Sequence, residues 1–234
     1  MFNSQNLYFN VGSNNAEKIR GKDMEIHQPN VVLLAITPDA EKLIEEAGRT
    51  CYLSLSKMTD DSEKNFIRNA IKRGHHSILE HATASFRILG ASRTFTHQIV
   101  RHRIASFSQQ SQRYVDESEF NYIVPPEINA NSEALSLYRD FIEHSRETYN
   151  KFRELGIKKE NARFILPNAL ESQIVFSANF REFRTVFNVR LEKAAQWEIR
   201  RVCMQMLLVL KEKAPSVFGD YTINEDDWTA FPGL

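Results

Sequence analysis

Val31-Val32-Leu33-Leu34-Ala35-Ile36-Thr37-Pro38-Asp39 is an apolar, β-rich run that breaks into a helix-start signal, and it sets the alternation of strand and helix repeated along the chain. Branching at Cβ suits Val and Ile to a pleated strand. Thr37-Pro38-Asp39 offers a helix cap with proline at the first turn, so a helix is expected over Ala40 to Ala47. A second helix is expected from Ser62 to Arg73, where Phe66, Ile67, Ala70 and Ile71 keep a helical period until Gly74. Residues 82 to 89 alternate like a strand that Gly90 ends, and Ser92 caps a helix from Arg93 to Val100. The pair Pro125-Pro126 marks a loop or crossover. A long amphipathic helix follows from Ser132 to Leu155 (Leu135, Tyr138, Phe141, Ile142, Tyr149, Phe152), then a short one from Lys159 to Leu166 stopped by Pro167. Residues 172 to 178 read as a strand, and the last helix runs from Lys193 to Lys213 with Trp197, Ile199, Val202, Met206 and Leu210 on one face. Strands and helices interleave with helix dominating, which makes the class α+β.

The 234 residues suffice for one substantial core. Residues 1 to 25, rich in Asn, Ser, Gln and Lys, read as a flexible tail, and residues 26 to 234 as a single domain. Thirty basic side chains balance thirty acidic ones, so no overall field draws the molecule to nucleic acid or to a membrane, and an anion site must be local. Cys51 and Cys203 form no disulfide framework or C-x-x-C pair, which fits a reducing, cytoplasmic setting. No apolar run approaches the roughly 20 residues of a membrane span.

Local charge is concentrated in Arg101-His102-Arg103-Ile104-Ala105-Ser106-Phe107-Ser108-Gln109-Gln110-Ser111-Gln112-Arg113. Guanidinium forks match phosphate oxygens, while short hydroxyls and amides complete a polyanion cradle. If the helix begun at Arg93 runs past Val100, Arg101 and Arg103 project on different faces and serve two ligands. The same composition also fits a solvated basic helix end followed by a polar loop. An RNA-binding module would pair the arginines with Phe107 and Tyr114 as stacking partners, against which stands the zero net charge. His75, His76 and His81 beside Glu80 invite a zinc reading, but the H-x-x-x-E-H spacing is one residue longer than the inverted zinc-protease pattern; no metal is expected.

Arg-His-Arg, seven residues, Ser, one residue, Arg resembles the signature of the flavin-dependent thymidylate synthases, the ThyX family, with all fixed positions met between Arg101 and Arg113. Further segments are similar in order: Gly74-His75-His76-Ser77-Ile78-Leu79-Glu80-His81 and Gln98 upstream, then Ala162 to Pro167, Ala178-Asn179-Phe180-Arg181, Asn188-Val189-Arg190 and Ala195-Gln196-Trp197-Glu198. The resemblance covers residues 30 to 215 and implies a ThyX-like fold, a mixed sheet flanked by long helices.

It further implies a methyltransferase that turns dUMP into dTMP, with 5,10-methylenetetrahydrofolate as carbon donor, FAD as cofactor, NADPH as reductant and tetrahydrofolate as the folate product. Arg190 and His75 fall at the reacting centre. FAD falls to Arg101, His102, Arg103, Gln109, Asn179, Phe180, Arg181 and Thr185, with Ser77 contributed by a neighbouring subunit of a homotetramer with shared active sites. The nucleotide falls to Gln98, Ile99, Val100, Arg101, Gln109, Gln110, Ser111, Gln112, Arg113, Arg163 and Arg190. Ser111 binds and does not attack, because no His-Asp relay to activate it is visible. Neither cysteine has the activating surroundings of a nucleophile. Three positions depart from the family: Gln109 stands for glutamate, Thr185 for asparagine and Ala194 for histidine, and each bears on FAD affinity.

Overall fold

A computed structural model describes Glu25, Ile26 and residues 28–233. The chain begins with β1 (Glu25–Ile26), β2 (Asn30–Ile36), α1 (Ala40–Thr50) and α2 (Ser62–Lys72). A 3₁₀ turn at His76–His81 leads to β3 (Thr83–Ser92), α3 (Arg93–Ile99), β4 (Ala105–Gln109) and β5 (Tyr122–Ile123). Then come α4 (Pro126–Asn129), α5 (Ser132–Glu154), α6 (Lys159–Ala162), β6 (Glu171–Asn179), α7 (Phe180–Arg190), α8 (Trp197–Lys213), α9 (Pro215–Phe218), β7 (Tyr221–Asn224) and β8 (Thr229–Pro232). The tail expected over residues 1 to 25 lies outside the described residues except for Glu25, which pairs with Tyr122.

The α+β class holds, but the main sheet is not mixed. Its four strands, ordered β2-β3-β6-β4, are antiparallel at every pairing, and the parallel pair β1-β5 stands apart from it. One face of this sheet is apolar. Phe86 and Ile88 of β3 and Ile174 and Phe176 of β6 are buried against α7 and α8. Phe183 of α7 meets Phe86 and Phe176 edge-on, at centroid distances of 5.6 and 5.2 Å, which favours the aromatic quadrupoles beyond plain burial. The other face carries hydroxyls, and Ser85 and Ser177 sit side by side with their oxygens 2.7 Å apart. No described helix is long and apolar enough to cross a membrane.

Several sequence expectations are corrected. Within Thr37-Pro38-Asp39 the cap position falls to Asp39, in a left-handed conformation (φ 46°) with no side-chain cap bond, so Pro38 precedes the first turn, and the Thr37 hydroxyl pairs with Thr83. Gly90 does not end β3. It sits at φ 65° in an irregularity between Ile88 and Ala91, after which Ala91 and Ser92 resume pairing with Ser172 and Glu171; glycine takes this backbone without a Cβ clash. The last helix starts at Trp197, four residues later than expected, because the Gln196 side chain accepts from the Glu198 and Ile199 amides and fixes the start there. Phe141, placed on the buried face of α5, is exposed. The helix α7 was not anticipated.

Candidate active site

Ser92 initiates the central element of the site. Its Oγ accepts from the Phe95 amide at 3.0 Å and donates to buried Glu198 at 2.6 Å, tying the start of α3 to the first turn of α8. The helix then stops at Ile99, so Arg101 and Arg103 do not share a helix. The chain turns through His102 and enters β4, where Ala105, Phe107 and Gln109 face inward and Ser106 and Ser108 face solvent. The helical two-face geometry expected of the arginines is therefore not formed: Arg101 lies in the turn after α3 and Arg103 precedes β4.

From the other side, α7 carries Arg190 in its last turn. Arg190 Nε–H donates to His102 Nε2 at 3.0 Å and its Nη2 donates to the Gln98 carbonyl at 3.1 Å. Nη1 has no hydrogen-bond partner among the described residues. Burial, and then the adjacent Arg190 guanidinium, lower the His102 pKa to about 4, so the ring is neutral near pH 7. Its other nitrogen, Nδ1, lies 3.4 Å from the buried carboxylate of Glu182.

A second cationic group forms where the signature ends. Arg113 Nε meets the Glu160 carboxylate at 3.2 Å, and Arg163 Nε donates to the Glu160 carbonyl at 3.1 Å. Arg93, half-buried, has its pKa lowered by burial and by the charge of Arg163. Gln110 donates to Glu117 at 3.0 Å. The Ser111 hydroxyl accepts from the Arg113 amide at 3.3 Å, within a turn that positions both residues.

The third region is an open cavity of about 410 Å³ on the polar sheet face, lined by Glu80, Thr83, Ser85, Ser106, Ser177 and Asn179, among others. Asn179 caps α7 by accepting from the Glu182 amide at 2.8 Å. Arg181 pairs with Glu80, and Thr185 Oγ1 donates to the Arg181 carbonyl at 3.2 Å. His75 and Ser77 are exposed on the turn leading to Glu80, while Ala194 is exposed beyond α7.

Not every expected side chain is open to a ligand. Ile99 and Phe180 are fully buried in the core, which leaves only their backbone for contact; Val100 and Gln112 lie at the surface or half-buried. Gln109 turns inward and donates to Thr96 Oγ1 at 3.0 Å and Ser172 Oγ at 3.1 Å, a donor role that glutamate at this position could not fill. Sequence reading missed Glu160 and Glu182, and it named Glu80 only within the Gly74 to His81 segment, not as the partner of Arg181. Glu182 had a local signal, the spacing Asn179-x-x-Glu182 of a helix start.

Comparison with known proteins adds to this geometry. The sequence pattern of the thymidylate synthase complementing protein family matches residues 32–216. A flavin-dependent thymidylate synthase of Clostridium tetani is 36% identical over 222 residues, 86% of this chain and 88% of the relative. One from Nitratidesulfovibrio vulgaris is 40% identical over 211 residues, 82% of this chain and 86% of the relative. The fold is similar to that of a UMP/dUMP methylase from Streptomyces cacaoi, crystallised with 5-Br dUMP, at a TM-score of 0.76 and 20% identity over 84% of this chain and 96% of that one.

Proposed function

This chain belongs to the thymidylate synthase complementing protein family, and from that premise we propose that it is a flavin-dependent thymidylate synthase. It converts dUMP to dTMP with 5,10-methylenetetrahydrofolate as carbon donor and FAD, reduced by NADPH, as hydride carrier.

The observation that carries this reading is the Arg190 guanidinium, anchored on two edges by His102 and the Gln98 carbonyl, with a third edge unpaired among the described residues. A permanently charged, preoriented fork polarises a pyrimidine carbonyl and stabilises negative charge on the neighbouring ring nitrogen. Arg113 and Arg163, gathered at Glu160, bind the nucleotide phosphate, and Ser111 and Gln110 complete that binding. The residues present fit FAD. Arg101 and Arg103 are exposed, and their side chains make no hydrogen bond or ion pair among the described residues, which leaves two guanidinium groups for a pyrophosphate on the segment that leads into Ile104, Ala105 and Ser106 of the cavity lining. FAD supplies the hydride that completes the methyl group. Asn179, at the end of β6, and Arg181, in α7, would hold it, and Ser77 would reach it from a neighbouring subunit of a homotetramer, with His75 near the reacting centre. The burial of Cys203 (0% exposed) pushes its thiol well above the usual range, and the Cys51 thiol points back to the Ala47 carbonyl of its own helix. Neither suits nucleophilic addition to the uracil ring.

Release of tritium from 5-tritiated dUMP by the purified protein, with NADPH and methylenetetrahydrofolate, tests the proposal. FAD-dependent release is expected. FAD bound without release marks a nucleotide-binding relative that does no chemistry, and overturns it.

A further inference from the structure

Glu182 is a buried carboxylate, 7% exposed, on a helix that the sequence reading did not anticipate. At its position, three residues after the cap Asn179, a glutamate side chain ordinarily turns back to the cap's own amide. Here the Asn179 carboxamide caps the Glu182 amide at 2.8 Å, yet the Glu182 carboxylate makes no hydrogen bond back among the described residues. It points instead at His102 Nδ1, 3.4 Å away. Burying a carboxylate costs several kcal/mol unless a partner offsets it, and burial raises the pKa of this one.

The direction of the next contact settles the state of the ring. A guanidinium nitrogen only donates. Since Arg190 Nε–H donates to His102 Nε2 at 3.0 Å, that nitrogen carries a lone pair, and the single proton of the neutral ring sits on Nδ1, facing Glu182. The carboxylate favours this tautomer, and the tautomer is what lets the ring receive Arg190. We propose that Glu182 is a positioning residue: through His102 it fixes the direction of the Arg190 guanidinium, joining α7 to the turn after α3 in a carboxylate–imidazole–guanidinium chain. The inference rests on the role given to Arg190 in pyrimidine activation.

Four variants of the FAD-loaded enzyme, compared by tritium release, test it. Glu182→Leu removes the carboxylate 3.4 Å from Nδ1 and is expected to lower kcat at least tenfold with FAD content unchanged. Glu182→Gln keeps an acceptor oxygen and is expected to recover most of that loss. In an Arg190→Ala background, Glu182→Leu is expected to cost nothing further, because the group it acts through is gone. Wild-type kcat in Glu182→Leu, an equal loss in Glu182→Gln, or a loss that adds in full to Arg190→Ala would each overturn the proposal. ¹⁵N NMR of the histidine-labelled protein reads the ring independently of turnover, and so separates this proposal from the assignment of activity. A bare Nε2 with a proton on Nδ1 between pH 6 and 8 supports the chain even if no dTMP forms or Glu182→Leu does not fold. A proton on Nε2, or on both nitrogens, refutes it.

Discussion

Arg190 and His102, 88 positions apart in sequence, are joined by one hydrogen bond of 3.0 Å in which the guanidinium Nε–H donates to the ring nitrogen Nε2. The Gln98 carbonyl holds a second edge of the same guanidinium at 3.1 Å. Both holds come from the segment that ends α3 and enters the signature, so the Arg190 guanidinium and the signature turn form one unit.

Loss of that cation should stop chemistry more than binding. Arg190→Ala is expected to lower kcat by roughly 10²–10³, the usual cost of one preorganised charged donor, while retaining FAD by absorbance. Arg190→Lys should rescue little, since a point ammonium cannot hold His102 and Gln98 while presenting a third edge. Full turnover in Arg190→Ala would remove it from the reaction.

The buried ring makes a pH prediction. His102 is held neutral, its pKa lowered from 6.5 to about 4 by burial and by Arg190. A folded-state value below the unfolded one means that the contribution is present in full above about pH 6.5 and is lost as pH falls toward 4. The drop is worth at most on the order of 3 kcal/mol. Burial shifts Glu182 the other way, so the comparison is made against His102→Asn, which removes the ring's titration. The gap in unfolding free energy between wild type and variant should narrow between pH 6.5 and 4. A gap constant over that range would show that the ring is not held neutral.

Stability of the site depends on Glu198. Its two carboxylate oxygens accept from the Ser92 amide at 2.7 Å and hydroxyl at 2.6 Å, and Ser92 in turn caps α3. Glu198→Ala leaves two buried donors unsatisfied and should cost about 2–4 kcal/mol in urea unfolding, with the m-value unchanged. A cost below about 1 kcal/mol would mean that water replaces the carboxylate.

Ser111 is assigned to binding. Its hydroxyl accepts from the Arg113 amide, and no histidine is hydrogen-bonded to it among the described residues. Ser111→Ala should raise KM for dUMP and leave kcat within about threefold, as uniform binding predicts. Abolition of kcat with KM intact would restore it as a nucleophile.

Much of the fold was legible where one physical signal dominated. Ser92 capped its helix as read, Ser62 to Lys72 kept its period, and residues 172 to 178 fell within β6. The misreadings also have causes. The helix α7 follows β6 without glycine or proline between them, and it buries Glu182 and Arg184 beside its phenylalanines, so neither punctuation nor a clean polar face marked it. In β4 the alternation of Ala105, Phe107 and Gln109 with Ser106 and Ser108 was present, but small and polar side chains on both faces blurred it into a loop. At the site, the cationic residues could be named from their motif. Their pairings with Glu160, Glu80 and Glu182 could not, because each contact joins segments that only the tertiary fold brings together.

The most direct measurement is the identity of the folate product formed with dTMP in a reaction of purified protein, FAD, NADPH, dUMP and methylenetetrahydrofolate. If reduced flavin supplies the hydride, the folate gives up only its one-carbon unit, and one tetrahydrofolate should appear for each dTMP. One dihydrofolate per dTMP would mean that the folate itself was the reductant, and would contradict the account.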